Sequence, residues 1–181
     1  QKLYLDADGP FAAACRLQPD LPDACYFYAR NLYGLDRFSE SVAVLKRLPK
    51  AHWKVHLGLG QALQGLGQVS EAEKYFRLSL GLHFKADMDS RASASDDPRV
   101  HFGSFLFRQG RTEEAGAVLR ELCRERPDSA RGHLELGRVL MHLNDLAAAQ
   151  SAFQKAIDMG AGPQASMLLQ RVTARAGVAT R

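Results

Sequence analysis

Between residues 96 and 163 one pattern of apolar and polar positions is written twice, 34 residues apart. Phe102-Gly103 falls on Leu136-Gly137, Leu106 on Leu140, Ala115 on Ala149 and Leu119 on Phe153. Within the second copy, His133, Leu136, Gly137 and Leu140 are spaced by three, four and seven residues from the first, which puts them on one helical stripe. Asn144-Asp145 then interrupts the run. Asn tolerates a left-handed backbone and Asp can cap the next helix. That helix carries Ala149, Phe153, Ala156 and Ile157 on its own stripe. Gly137 and Ala149 have little or no side chain, so two antiparallel helices can approach closely there, with Phe153 filling the space between them. Gly160-Ala-Gly-Pro163 and Arg126-Pro127-Asp128 close the two copies with helix breakers.

The same pattern extends over the rest of the chain. It predicts a partial repeat (second helix only) over 1–21, a shortened repeat over 22–52 and a full repeat over 53–86. An inserted loop follows over 87–95, then full repeats over 96–129 and 130–163, then a capping helix and tail over 164–181. The first helix is expected to begin near Pro10, because proline is welcome only in a first turn. Its missing partner helix leads to the expectation of a chain cut from a longer one, the alternative being an unusual amino-terminal cap. Pro49 is expected to end the helix that carries Phe38, Ser41, Leu45 and Leu48 about one turn early. The polar stretch 87–95 reads as an exposed loop.

These residues resemble the tetratricopeptide repeat family, whose 34-residue helix-turn-helix unit has a bulky residue, Leu-Gly, an aromatic or Leu, then Ala, Phe, Ala and Pro. Phe102, Gly103, Leu106, Gly110, Ala115 and Pro127 match in one unit. Leu136, Gly137, Leu140, Ala149, Phe153 and Ala156 match in the next. The resemblance implies an all-α fold: a right-handed superhelical stack of helical hairpins that works as a protein-interaction module.

Composition narrows this little. Apolar residues make up 46% of the 181, as in ordinary globular chains. The 24 basic residues only slightly exceed the 20 acidic ones and form no block, which gives no support to nucleic-acid binding or a membrane surface. No apolar run approaches the roughly 18 residues of a membrane span. Three cysteines cannot all pair with one another. Cys15 and Cys123 fall on the packing side of second helices, and Cys25 takes the first bulky slot of a first helix, as His133 does. Buried thiols in a reduced, cytoplasmic setting are the simpler reading; a periplasmic or secreted chain would need a solitary thiol or a cross-chain bridge.

Motifs for catalysis are missing: there is no Gly-rich phosphate loop, Gly-x-Ser-x-Gly elbow or Cys-x-x-Cys pair, so neither an enzyme nor a cofactor is expected. His52 and His56 lie four apart, but His56 sits in a core slot and no third ligand is implied, so no metal is expected.

In the family the chain resembles, successive first helices line a concave groove that holds protein segments. Aligned by repeat, the exposed groove residues here are Tyr26, Arg30 and Tyr33, then Lys54, Leu57, Gln61 and Gln64. Val100, Ser104, Phe107 and Arg108 follow, then Arg131, Leu134, Arg138, Met141 and His142, with Val172 and Arg175 from the cap. Arginines interspersed with Tyr, Phe and Met suit a partner segment with acidic and apolar residues. Only Asp23 and Asp97 stand nearby with opposite charge. Chaperone-binding members clamp a terminal carboxylate with Lys and Asn. Tyr26/Arg30, Leu57/Gln61 and Val100/Ser104 occupy the corresponding places, so that subtype is not supported. The alternatives are a structural stack that self-associates as a homodimer, and an accessory domain of a larger, bacterial-looking protein.

Overall fold

The computed structural model describes residues 2–17, 22–50, 52–85 and 97–179, with no side-chain description for 2–8, 22, 84–85 and 178–179. The expected loop over 87–95 lies outside the described residues, as does the end of the tail. The described residues form ten helices and no strand. They are α1 (Lys2–Leu17), α2 (Pro22–Gly34), α3 (Phe38–Leu45), α4 (Trp53–Gly65) and α5 (Val69–Lys85). Then come α6 (Pro98–Arg108), α7 (Thr112–Glu125), α8 (Ala130–His142), α9 (Leu146–Asp158) and α10 (Pro163–Ala179). The chain divides into two compact units, 1–87 and 88–181. In the first, α1 packs on α2, and hairpins α2–α3 and α4–α5 stack on each other. In the second, hairpins α6–α7 and α8–α9 stack and α10 closes on α9. The all-α helical-repeat architecture expected from the sequence is what the structure shows.

Each hairpin is built on the same three contacts. The small residues Gly60, Gly103 and Gly137 let the second helix come in so close that a Cβ would lie 3.0, 2.6 and 2.6 Å from Phe76, Leu119 and Phe153. Ala29 holds that position in the first hairpin, where Ser41 Oγ donates to its carbonyl at 2.8 Å. Ser41, Ala72, Ala115 and Ala149 lie opposite, all buried. Seven residues beyond each small residue the backbone turns left-handed, at Asp36, Gly67, Gly110 and Asn144. The next N–H (Arg37, Gln68, Arg111, Asp145) then reaches back five residues to a leucine carbonyl at 2.9–3.0 Å. This is the bond that satisfies an orphan carbonyl at a helix end. Asp145 caps α9 as its side chain accepts from Ala148 N at 3.2 Å.

Several expectations are corrected. α1 runs through Pro10 rather than starting there. A proline ring clashes with the Cβ of a helical residue before it, and Gly9 has none. α3 ends at Leu45, earlier than expected, and Leu48 is buried beyond the helix rather than on it. Cys15 and Cys25 are not thiols but are joined as a disulfide, because docking α1 on α2 brings their Cα atoms within 4.7 Å. Cys123 is the free thiol.

Candidate functional site

First helices face one another along each unit: α2 meets α4, α6 meets α8, and α8 meets α10. This packing sorts the expected groove residues. Leu57, Val100, Leu134 and Val172 are buried and present no surface. The row just beside the core stripe is covered by the neighbouring first helix. Asp97 is also corrected as a groove charge: it is fully buried, caps α6 by accepting from Arg99 N at 2.9 Å, and pairs with the Arg99 side chain at 2.7 Å.

In the first unit, Tyr26, Arg30, Tyr33 and Gln61 line one cleft between α2 and α4, with Ser41, Leu45 and Gly58 at its base. Gly58 matters because a Cβ there would sit 3.0 Å from Leu45 Cδ1, so the glycine lets α3 reach the cleft floor. Sequence reading missed Gly58, although a small residue two places before Gly60 was its signal. Tyr33 is braced by Phe38, their ring centroids 5.5 Å apart. Arg30 is exposed and forms no ion pair among the described residues. Lys54 belongs elsewhere: its Nζ sits 5.6 Å from the centroid of the Trp53 ring. Gln64 is half-buried and does not line the cleft.

The second unit brings other chemistry together. Phe107 near the end of α6 meets His142 at the end of α8 edge to face, with centroids 5.3 Å apart. Arg175 on α10 donates to Asn144 Oδ1 at 2.8 Å and to the Met141 carbonyl at 3.5 Å. Sequence reading placed Arg175 in the groove but not this bond. Phe107, Met141, His142 and Arg175 therefore form one continuous surface across three first helices. Arg108 follows Phe107 and is exposed. Arg138 lies one turn before His142, only loosely held by Glu135 at 3.4 Å, and Arg131 is exposed two turns earlier still. Among the described residues no group of three His, Cys, Asp or Glu could hold a metal. Among the described residues no helix is long and apolar enough to cross a membrane.

Two tetratricopeptide repeat models match the sequence, one over residues 102–167 and one over 54–83, together just over half of the chain. The chain belongs to the tetratricopeptide repeat family. Members of this family are generally interaction modules without catalytic activity, and this chain has the fold of a protein-interaction scaffold. Among curated proteins none matches its sequence. Among solved structures, YrrB, described as a TPR protein with an unusual peptide-binding site, is 15% identical with a TM-score of 0.61, over 92% of this chain and 84% of its own. MamA from Desulfovibrio magneticus RS-1 is 21% identical with a TM-score of 0.65, over 86% and 85%. The human IFIT1 dimer with PPP-AAAA is 22% identical with a TM-score of 0.75, over 96% of this chain but 42% of that one. The chain thus spans less than half the length of the IFIT1 chain, and at these identities the likeness is one of fold.

Proposed function

We propose that the chain binds protein segments on the exposed rows of its first helices, and that the α6–α8–α10 face of the second unit takes an acidic segment with an apolar anchor. The observation that supports this is the Phe107–His142–Met141 surface with Arg108, Arg138 and Arg175 around it. Aromatic and methionine side chains supply contact area, and arginine forks match carboxylates in two-point geometry. Among the described residues Glu135 is the one carboxylate that engages these arginines, at 3.4 Å, which leaves positive charge on this face for a partner. The tyrosine-lined cleft of the first unit suits a less charged segment.

The test is direct binding of synthetic peptides that carry several Asp or Glu and one Phe or Leu, beside neutral controls. Arg108→Glu with Arg138→Glu is expected to weaken the acidic peptides about tenfold or more, roughly 1.4 kcal/mol. Arg30→Glu in the first unit should leave them unchanged. Binding should also fall with added salt. Equal loss in Arg30→Glu would dismiss the assignment to the second unit. An RNA such as PPP-AAAA is the competing ligand, since a phosphate backbone also seeks arginines. Tighter binding of RNA than of any peptide would replace this reading with a nucleic-acid one. A mass that rises with concentration and ignores the arginine changes would favour self-association instead.

A further inference from the structure

The Cys15–Cys25 disulfide lies outside the candidate site and joins α1 to α2, and the described part of α1 is anchored differently from the second helices of the hairpins. Second helices elsewhere are anchored by buried side chains: Ala72 and Phe76 on α5, Ala115 and Leu119 on α7, Ala149 and Phe153 on α9. Over residues 9–17, the side chains of α1 include none that is buried. Phe11 to Cys15 are half-covered, and Leu17 at its end is 82% exposed. Phe11 stacks on Phe27 with ring centroids 5.6 Å apart, yet Phe27 itself stays 43% exposed. Pro10 inside the helix removes one backbone hydrogen bond as well. Over residues 9–17, apolar contact thus gives α1 little hold on the unit. Cys25, by contrast, is buried in the slot where α2 meets what precedes it.

We propose that the Cys15–Cys25 bond is the attachment of α1, so that the redox state of this pair decides whether α1 stays docked on α2. Its oxidant is a disulfide-bearing oxidoreductase or an oxidised small thiol. Cys15 and Cys25 give up two protons and two electrons as their sulfurs join, and the oxidant's disulfide becomes two thiols. A dithiol reductant reverses the step. Cys123 is a poor intruder: burial pushes its thiol up to about 11, and the thiolate is the attacking form. The oxidised form belongs to a compartment that supplies such an oxidant, in place of the reduced setting expected from cysteine count.

The experiment takes the full chain through a glutathione-disulfide buffer, maps its peptides without reduction, and compares amide hydrogen exchange with and without dithiothreitol. A Cys15–Cys25 linked peptide with Cys123 free is expected. Closing a loop with a sequence separation of 10 should protect amides of residues 11–17 by roughly a hundredfold over the reduced chain. Residues 112–179 serve as the internal control and should not change. Cys15→Ser is expected to reproduce the reduced pattern, and Cys25→Ala gives a second route that puts no hydroxyl into the buried slot. A bond that involves Cys123, three free thiols after oxidation, or equal protection of α1 in both states would each overturn the proposal.

Discussion

The two units solve one packing problem in two ways. Four residues before each small residue of a first helix lies a buried slot, filled by Cys25 and His56 in the first unit and by Arg99 and His133 in the second. The later hairpin of each unit uses histidine. His56 Nε2 lies 2.8 Å from the Lys50 carbonyl and His133 Nε2 lies 3.1 Å from the Pro127 carbonyl, so in both the Nε2–H donates to a residue six places earlier. That carbonyl comes from the end of the preceding hairpin of the same unit. The leading hairpin of each unit uses a different tie. In the first unit it is the disulfide to α1. In the second, Arg99 donates to Asp97 at 2.7 Å and to Glu125 at 2.6 Å, which ties the start of α6 to the end of α7. The lesson is that the slot conserves a mechanical task and leaves its chemistry free.

The largest effect expected from breaking this comparison is at Arg99. Burial opposes its charge, but the hydrogen bonds it donates to the Asp97 and Glu125 carboxylates outweigh it and hold the guanidinium above its ordinary value. Arg99→Ala would remove the guanidinium that pairs with the buried Asp97 carboxylate at 2.7 Å. Losing one partner of a buried pair costs about 3–5 kcal/mol. Urea unfolding should show this as a loss confined to the second unit, with amide protection of 22–85 unchanged. A loss below about 1 kcal/mol, the range of surface pairs, would mean that the pair is solvated and the two leading ties are not comparable.

How much of this was legible follows from where the signal lies. The 34-residue period, the left-handed turn at Asn144 and the close approach at Gly137 are written within one hairpin, and local spacing carries them. The burial of Leu57, Val100, Leu134 and Val172 depends on a neighbouring first helix about a whole repeat away, and the periodicity of a single helix cannot report it. Asp97 looked like a groove charge because the guanidinium that pairs with it, Arg99, also reaches across the hairpin to Glu125 and is held there. Cys15 and Cys25 were misread because repeat position says nothing of how α1 docks. The groove was named by repeat alignment. Four of its residues share the cleft of the first unit, but Lys54 does not, since an adjacent tryptophan offers its cation a ring.

A middle-sized effect sharpens the contrast at the glycines. Gly137→Ala in the second unit puts a Cβ 2.6 Å from the Phe153 ring, a large and fully buried group with no room to yield. Overpacking of this kind costs about 1–3 kcal/mol. Gly58→Ala in the first unit meets a leucine methyl at 3.0 Å, which a small rotation can relieve. Alanine also gains up to about 1 kcal/mol over glycine inside a helix, so Gly58→Ala should be close to neutral. Paired thermal unfolding checks both. An equal loss in the two variants would show that the ring contact at Gly137 is not the limiting one.

The smallest effect compares how each unit responds to acid. His133 in the second unit has its pKa lowered by burial, against the opposing pull of the Pro127 carbonyl bond. The folded state therefore prefers the neutral ring. The stability this gives is present above the ordinary histidine value near 6.5, and is lost as pH falls through the lower folded-state value. His133→Gln keeps an N–H for the Pro127 carbonyl but cannot titrate. Urea midpoints of the native chain should therefore drop more between pH 7.5 and pH 5 than those of the variant. In the first unit the acid-sensitive group is His52, lowered by partial burial and then by Lys54. Its Nδ1 accepts from Lys54 N at 3.2 Å to cap α4, a role that ends once that nitrogen is protonated. His52→Ser supplies a cap without a titrating group. Because His52 is exposed, removing its titration should flatten the pH dependence less than His133→Gln does. The reverse order would place the acid-sensitive step in the first unit and break the comparison there.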